Sequence, residues 1–374
     1  MNQTRTGPTT VAAGPTIGEA GSSGRSPSTA ARRFGRTGFI IGAGALVTLA
    51  VAAWAVVAGS AGIGLGDLAD SLWWGLTRAP GRAADPSYQI VWRLRLPRVV
   101  LGLVAGAALS VSGVVMQGLL RNPLVSPYTL GISPAAAFGA SLVILLSDNQ
   151  GGHISVPVVA AALLGALLCS AVVLSLSSFH SMSVVTLILF GVALTQLFSA
   201  LTSGLQYFAD EDRLAAMVRW TFGSVNDATW AQAVIVGGAL VLVLPLFMVK
   251  AKDLNAIAFL GDDTALSLGV SVTRTRVLLI MLSVLLTSIV VSFVGVIGFV
   301  GLVGPHIARL LIGSNHRALI PFSALTGAIL LVFSDTIGRI VLSPTVVPVG
   351  IVVSIIGAPL FIYLVLNQRN RNLG

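Results

Sequence analysis

Residues 92–131 read WRLRLPRVVLGLVAGAALSVSGVVMQGLLRNPLVSPYTLG, and this stretch decides the architecture. Arg93, Arg95 and Arg98 stand at one end of an apolar run that carries no charge until Arg121. A bilayer crossing takes about 20 residues, and the run is long enough. Within it Gly102, Gly106, Ser110, Gly113 and Gln117 recur at steps of four, four, three and four, which places them on one helix face. Small residues on one face let neighbouring helices approach closely. The stretch therefore reads as a helix packed inside a bundle and not facing lipid. Pro123 and Pro127, in RNPL and SPYTLG, break it.

Composition widens the picture. The chain has 374 residues, 55% hydrophobic and 9% charged, where soluble domains carry about 25% charged residues. Most of it belongs in lipid. A net charge of +9 would suggest nucleic acid in a soluble protein; here the arginines flank membrane spans, and no nucleic-acid partner is expected. The single cysteine, Cys169, lies in an apolar run and allows no disulfide framework. The four histidines, at 153, 180, 306 and 316, have no metal-ligand spacing. No metal and no cofactor is expected. A phosphate-binding P-loop needs glycine followed by lysine, and the only lysines, Lys250 and Lys252, do not follow glycine. Any ATP hydrolysis must come from a separate subunit.

Residues 1–36 are rich in Gly, Pro, Ser and Thr with scattered arginines and read as a disordered tail. Arg32-Arg33 faintly resembles a twin-arginine signal, but many more spans follow, so these arginines hold the N-terminus in the cytoplasm. A transmembrane domain is expected over 37–368, with a second tail at 369–374. Ten spans are expected, at 39–60, 97–120, 129–147, 156–177, 183–206, 229–249, 277–296, 298–312, 318–338 and 348–366. A loop is expected at 61–92, a short surface helix at 213–222 and a polar segment at 250–276. An even count leaves both basic tails on the cytoplasmic side. The halves 97–206 and 277–366 would run in opposite directions, as an inverted repeat requires.

The pattern RLPR…G…SG…Q…RNPL…P..LG resembles the FecCD family of ABC-transporter permeases, the membrane subunits of importers for ferric siderophores, haem and cobalamin. LGDDTALSLGV at 260–270, GFVGLVGPHIARLL at 298–311 and PVGIVVSIIGAPLFIYLV at 348–365 agree with it. The resemblance covers about 38–367 and implies an all-α polytopic fold of ten spans, BtuC-like, with inverted-repeat halves. It also implies a multi-pass location in the cell membrane. The partners it implies are a second permease copy, identical or related, two ATP-binding subunits and an extracytoplasmic substrate-binding protein. One residue departs from the family: its usual Glu before the final helix is Val346 here, so no role of that acid carries over.

Counting spans from a cytoplasmic N-terminus places Arg93, Arg95, Arg98 and Arg339 outside, against the orientation rule. Snorkelling suits one arginine; the cluster argues for an acidic partner, since guanidinium groups bind carboxylates bidentately. The resemblance implies docking of the binding protein by Arg95, Arg98 and Arg339.

The segment 250–276 falls inside. Asp262 suits an N-cap, Asp263 a first turn and Gly269 a C-cap. A short helix with Leu260, Leu266, Leu268 and Val270 has apolar surface to bury, on lipid or on a partner. The resemblance makes it the coupling helix that meets the ATPase, with Leu260, Gly261, Asp262, Ala265, Leu268 and Gly269 in contact.

On the fifth span Thr195, Ser199, Thr202 and Gln206 form a polar stripe, with Gln196 and Ser203 beside them. Such a stripe lines an aqueous path or bonds another helix. The resemblance implies a pathway between the fifth and tenth spans of two permease copies, the tenth offering Gly350 and Ser354. It places an inner gate at Met182 and Ser183. His306, in GPHIAR, reads as structural.

Two other classes compete. An ion-coupled secondary transporter usually carries acids within spans; only Asp335 lies in an apolar run, near its end. An intramembrane enzyme needs a nucleophile–base set, and Cys169 and Asp335 show no partners in the sequence. The expected function is the permease of an ABC importer carrying a ferric siderophore, with haem or cobalamin as the alternative cargo. No catalytic residue is expected.

Overall fold

The computed structural model describes residues 27–59, 64–77, 85–147, 155–179 and 184–371. Met182 and Ser183 lie outside the described residues, as does the part of the expected tail before Pro27. Helix α1 spans Pro27–Val57, so it begins ten residues inside the segment expected to be disordered. The expected loop at 61–92 holds α2 (Leu65–Thr77) and the single turn α3 (Pro86–Tyr88), which runs into a π-helical segment, Gln89–Arg95. Asp85 caps that turn: its Oδ1 accepts from the backbone of Ser87 at 2.9 Å and Tyr88 at 3.2 Å.

The bundle follows. Helix α4 is Leu96–Leu119, α5 Ile132–Leu146, α6 Val156–Phe179 and α7 Val184–Tyr207. Helix α8, Glu211–Thr221, is the expected surface helix, and α9 is Trp230–Val249. Two short helices, α10 (Ala251–Leu260) and α11 (Asp262–Ser267), fill the polar segment. Helices α12 (Val272–Val294), α13 (Val300–Ile312), α14 (His316–Ile340) and α15 (Val349–Arg371) complete the chain. The last runs through the boundary expected at residue 368. Among the described residues, seven helices are long and apolar enough to cross a membrane, and α5, α13 and α15 are shorter apolar helices. Together they make the ten.

The two halves repeat a pattern. Helices α4 to α7 have 24, 15, 24 and 24 residues, and α12 to α15 have 23, 13, 25 and 23. Each short member follows a residue in the left-handed region, Gly131 at φ 81° and Phe299 at φ 62°. Packing is reciprocal: α4 lies along α14, while α12 lies along α6. This is the inverted-repeat architecture expected from chain direction.

Helix α4 is the centre. Its Gly102–Gln117 face meets α13 and α14. A Cβ on Gly106 would run into the carbonyl of Gly327, and one on Gly113 into that of Gly301. At the end of the face Gln117 Oε1 accepts from Arg309 Nη2 at 2.9 Å. Backbones this close gain dispersion contacts that lipid cannot supply, which is how membrane helices associate.

Candidate functional site

The arginine cluster does not stand on the surface. Arg95 and Arg98 are 7% and 8% exposed, and their donors are engaged within the chain. Arg98 Nε donates to both oxygens of Asp335, at 2.9 and 3.2 Å, and Nη2 donates to Oδ1 at 2.8 Å. Its Nη1 donates to Asn226 Oδ1. Arg95 Nη1 donates to the carbonyls of Val56 and Val57 at 2.8 and 2.9 Å. Arg339 donates to Ala55 O at 2.7 Å and Ala58 O at 3.0 Å, and its Nε lies 3.4 Å from Asp335 Oδ2.

The reason is the end of α1. A helix leaves its last four carbonyls without intrahelical partners and carries partial negative charge there. Ala55, Val56, Val57 and Ala58 are at that end, and two cations from distant segments satisfy them. These arginines thus fasten α1 to α4 and α14. Arg95, Arg98 and Arg339, expected to dock a binding protein, are in this conformation paired within the chain. Asp335, which shows no partner in the sequence, sits between two arginines, so it is not an acid held ready for ion coupling. Of the cluster only Arg93 is exposed.

Cys169 is buried, with Sγ 3.6 Å from the Leu130 carbonyl. His306 is buried with its ring 6.2 Å from Phe361, as a packing residue.

At the opposite end of α4, α10 and α11 form a bent pair. Gly261, at φ 85°, is the N-cap of α11, and Asp262 is its first helical residue. The expected capping role of Asp262 is corrected: the sharp turn between two helices demands a positive φ, which glycine adopts without strain. The Asp262 carboxylate instead binds Arg276 Nη2 at 2.9 and 3.0 Å. Gly269, at φ 83°, ends the turn as expected, with Val270 N donating to Ala265 O at 3.0 Å. Ala265 is fully buried, whereas Phe259, Leu260, Leu266 and Leu268 are 52–64% exposed. The pair therefore presents an apolar surface away from the bundle.

On α7 the expected stripe divides. Thr202 is buried and donates to Phe198 O at 2.8 Å; Thr195 donates to Gly191 O at 2.8 Å. Gln206 is half-buried, and Ser199 is exposed. The exposed polar line runs instead through Gln196, Ser199 and Ser203, on one face. On α15, Ser354 bonds back to Gly350 O at 2.7 Å. Gly350 is buried, and a Cβ there would strike the Phe222 carbonyl. Gly350, expected on the pathway, packs in this chain against the end of α8.

Residues 46–367 match the FecCD transport family. The chain belongs to that family. The hemin transport permease HmuU of Yersinia pestis is 38% identical over 291 residues, 78% of this chain and 87% of that one. The Fe(3+) dicitrate transport permease FecD of Escherichia coli is 39% identical over 291 residues, covering 77% and 88%. A solved structure, an inward-facing conformation of an ABC transporter assigned to the metal-chelate type, superposes with a TM-score of 0.75 at 33% identity. It covers 88% of this chain and 99% of its own. This FecCD chain is therefore a polytopic membrane permease of an ABC importer, a transport subunit with the BtuC-like fold.

Proposed function

We propose that this FecCD permease forms the translocation pathway for a ferric siderophore. In this reading an extracytoplasmic protein delivers the cargo, a second permease copy completes the path, and two ATP-binding subunits drive it. Both termini are cytoplasmic. The observation that carries the reading is the uncharged polar line Gln196, Ser199 and Ser203 on a helix otherwise exposed through apolar residues. A path without fixed charge suits a large, chelated cargo. The ferric-chelate assignment follows the Fe(3+) dicitrate relative and the metal-chelate structural neighbour. Haem is the second reading, favoured by the hemin-transport relative; cobalamin is the third, favoured by a cobalamin-import relative from Halobacterium salinarum.

The pathway is tested by cysteine labelling in the assembled transporter, with Cys169 replaced by serine. Cysteines at Gln196, Ser199 and Ser203 are expected to react with water-soluble thiol reagents in at least one transport state. Cysteines at Leu197 and Leu201, on another exposed face, are expected to stay protected by lipid. Equal reaction on both faces removes the pathway from α7. Uptake of a labelled ferric siderophore, haem and cobalamin by the same proteoliposomes then decides the cargo.

Docking of the binding protein falls to exposed groups on the outer face. Arg93→Glu is expected to weaken it by about 0.2–1 kcal/mol, the scale of exposed ion pairs, and the loss should shrink as salt screens the contact. Titrating the binding protein at low and high salt reads this directly. No change at either salt assigns Arg93 to the lipid headgroups.

The apolar surface of α10 and α11 is the proposed ATPase contact. Leu268→Asp is expected to abolish co-purification of the ATPase while leaving membrane insertion intact.

A further inference from the structure

Asn255, on α10, reaches the first residues of α14. Its Oδ1 accepts from the His316 backbone N–H at 2.9 Å and lies 2.7 Å from His316 Nδ1. An amide oxygen only accepts, so His316 carries its proton on Nδ1. Asn255 Nδ2 donates to Asn315 Oδ1 at 2.9 Å, and that oxygen also accepts from the Arg317 backbone at 3.1 Å, capping α14. The other edge of the His316 ring is pressed on α4: a Cβ on Gly118 would lie 2.6 Å from Nε2. The ring also lies 6.2 Å from that of Phe259, tilted to it by 51°, and Phe259 is one of the exposed residues at the end of α10. Three helices thus meet on one side chain.

From this joint α14 runs 25 residues, about 37 Å at the rise of an α-helix. Its far end carries Asp335 and Arg339, which hold Arg98 of α4 and the end of α1. Between the two ends, Gly106 and Gly327 lock the backbones of α4 and α14 together. Neither helix can slide past the other without forcing carbonyls into Cα atoms. A closely packed pair with polar ties at both ends moves as one body.

We infer that Asn255 is a positioning residue that fastens the ATPase-side helices to α14. The α4–α14 pair then carries a displacement of α10 across the membrane to the Arg98–Asp335 cluster. The inference rests on the reading of α10 and α11 as the ATPase contact. It uses the middle of α10, away from the apolar surface that meets the ATPase.

The test uses the complete transporter in proteoliposomes: permease, ATPase and binding protein. Asn255→Leu keeps the branched outline of the side chain and removes all three hydrogen bonds. ATPase assembly and turnover are expected to stay close to those of the parent, while cargo imported per ATP falls at least about fivefold, the lower end of inter-site coupling. Spin labels on cysteines at Tyr207 and Ile340, both exposed, with Cys169 replaced by serine, report the end of α7 against the end of the α4–α14 body. In the parent their separation changes on nucleotide addition; with Asn255→Leu it is expected not to. Asn255→Asp retains the acceptor for both His316 N–H groups and should recover most of the import ratio. Should the leucine variant fail to assemble, Asn255→Ser removes the same reach without an added apolar group, and the same two readouts apply. An unchanged import ratio, or a lost ratio with the label separation still responding, overturns the inference. If Leu268→Asp still binds the ATPase, the contact reading fails as well, and that result stands apart from any obtained with Asn255.

Discussion

Asp335→Ala is expected to destabilise this permease by about 3–5 kcal/mol, the cost of stripping a buried charge of its partner. The carboxylate is 5% exposed and lies between Arg98 and Arg339. Its removal leaves three buried arginines, counting Arg95, with no acid among them. The cations cannot shed their protons, because the guanidinium group is charged at any accessible pH. They must draw in water or leave, and either movement releases the end of α1. Thermal unfolding of the detergent-solubilised protein measures the loss. The companion double variant Arg98→Leu with Asp335→Leu replaces the pair by apolar groups and is expected to be much milder than Asp335→Ala alone. Additive effects in that cycle, or a loss below about 1 kcal/mol for Asp335→Ala, would show that the pair is solvated and dispensable.

This cluster also marks where sequence reading stopped. The breach of the orientation rule by Arg93, Arg95 and Arg98 was visible, and it correctly singled out unusual arginines. An acidic partner was inferred for them, and an acid was found, but from within the chain. Asp335 is 237 residues from Arg98, and no local period links them. The carbonyls of Ala55 to Ala58 have no sequence signal at all, since every residue has a carbonyl; only the end of α1 makes those four available. Asp335 in an apolar run, together with an arginine at i+4, was the one available hint that the partner was internal.

Periodic features fared better. The steps of four, four, three and four from Gly102 to Gln117 are a statement about one helix face, and that face is the α4 contact with α13 and α14. The helix boundaries of the spans followed from apolar length and from proline and glycine. The polar stripe of α7 is legible in the spacing, but the burial of Thr202 beside the exposed Ser203 is not. A stripe at helical spacing does not say which of its edges is covered by α5. Asn255 and His316 carry no signal, because each is an ordinary polar residue until the fold brings them together.

Gly113→Val is expected to have the second large effect, and it isolates packing from charge. A Cβ at this position already collides with the Gly301 carbonyl, and its next nearest neighbours are also Gly301 backbone atoms. Backbone cannot rotate aside as a side chain can, so α4 and α13 must separate along their contact. Overpacking by a methylene group costs about 1–3 kcal/mol in a core, and more where nothing yields. Valine adds three carbons, and separation of α13 also strains the Gln117–Arg309 hydrogen bond at the next turn. Loss of folded protein is therefore expected, read as the monodisperse fraction after solubilisation. Gly238→Ala is the control. It lies inside α9, and a Cβ there meets nothing within 4 Å. Alanine is favoured over glycine in a helix by about 1 kcal/mol, so that variant should be neutral or slightly more stable. If Gly113→Val folds as well as Gly238→Ala, α4 does not approach α13 at backbone distance, and the small-residue face has some other purpose.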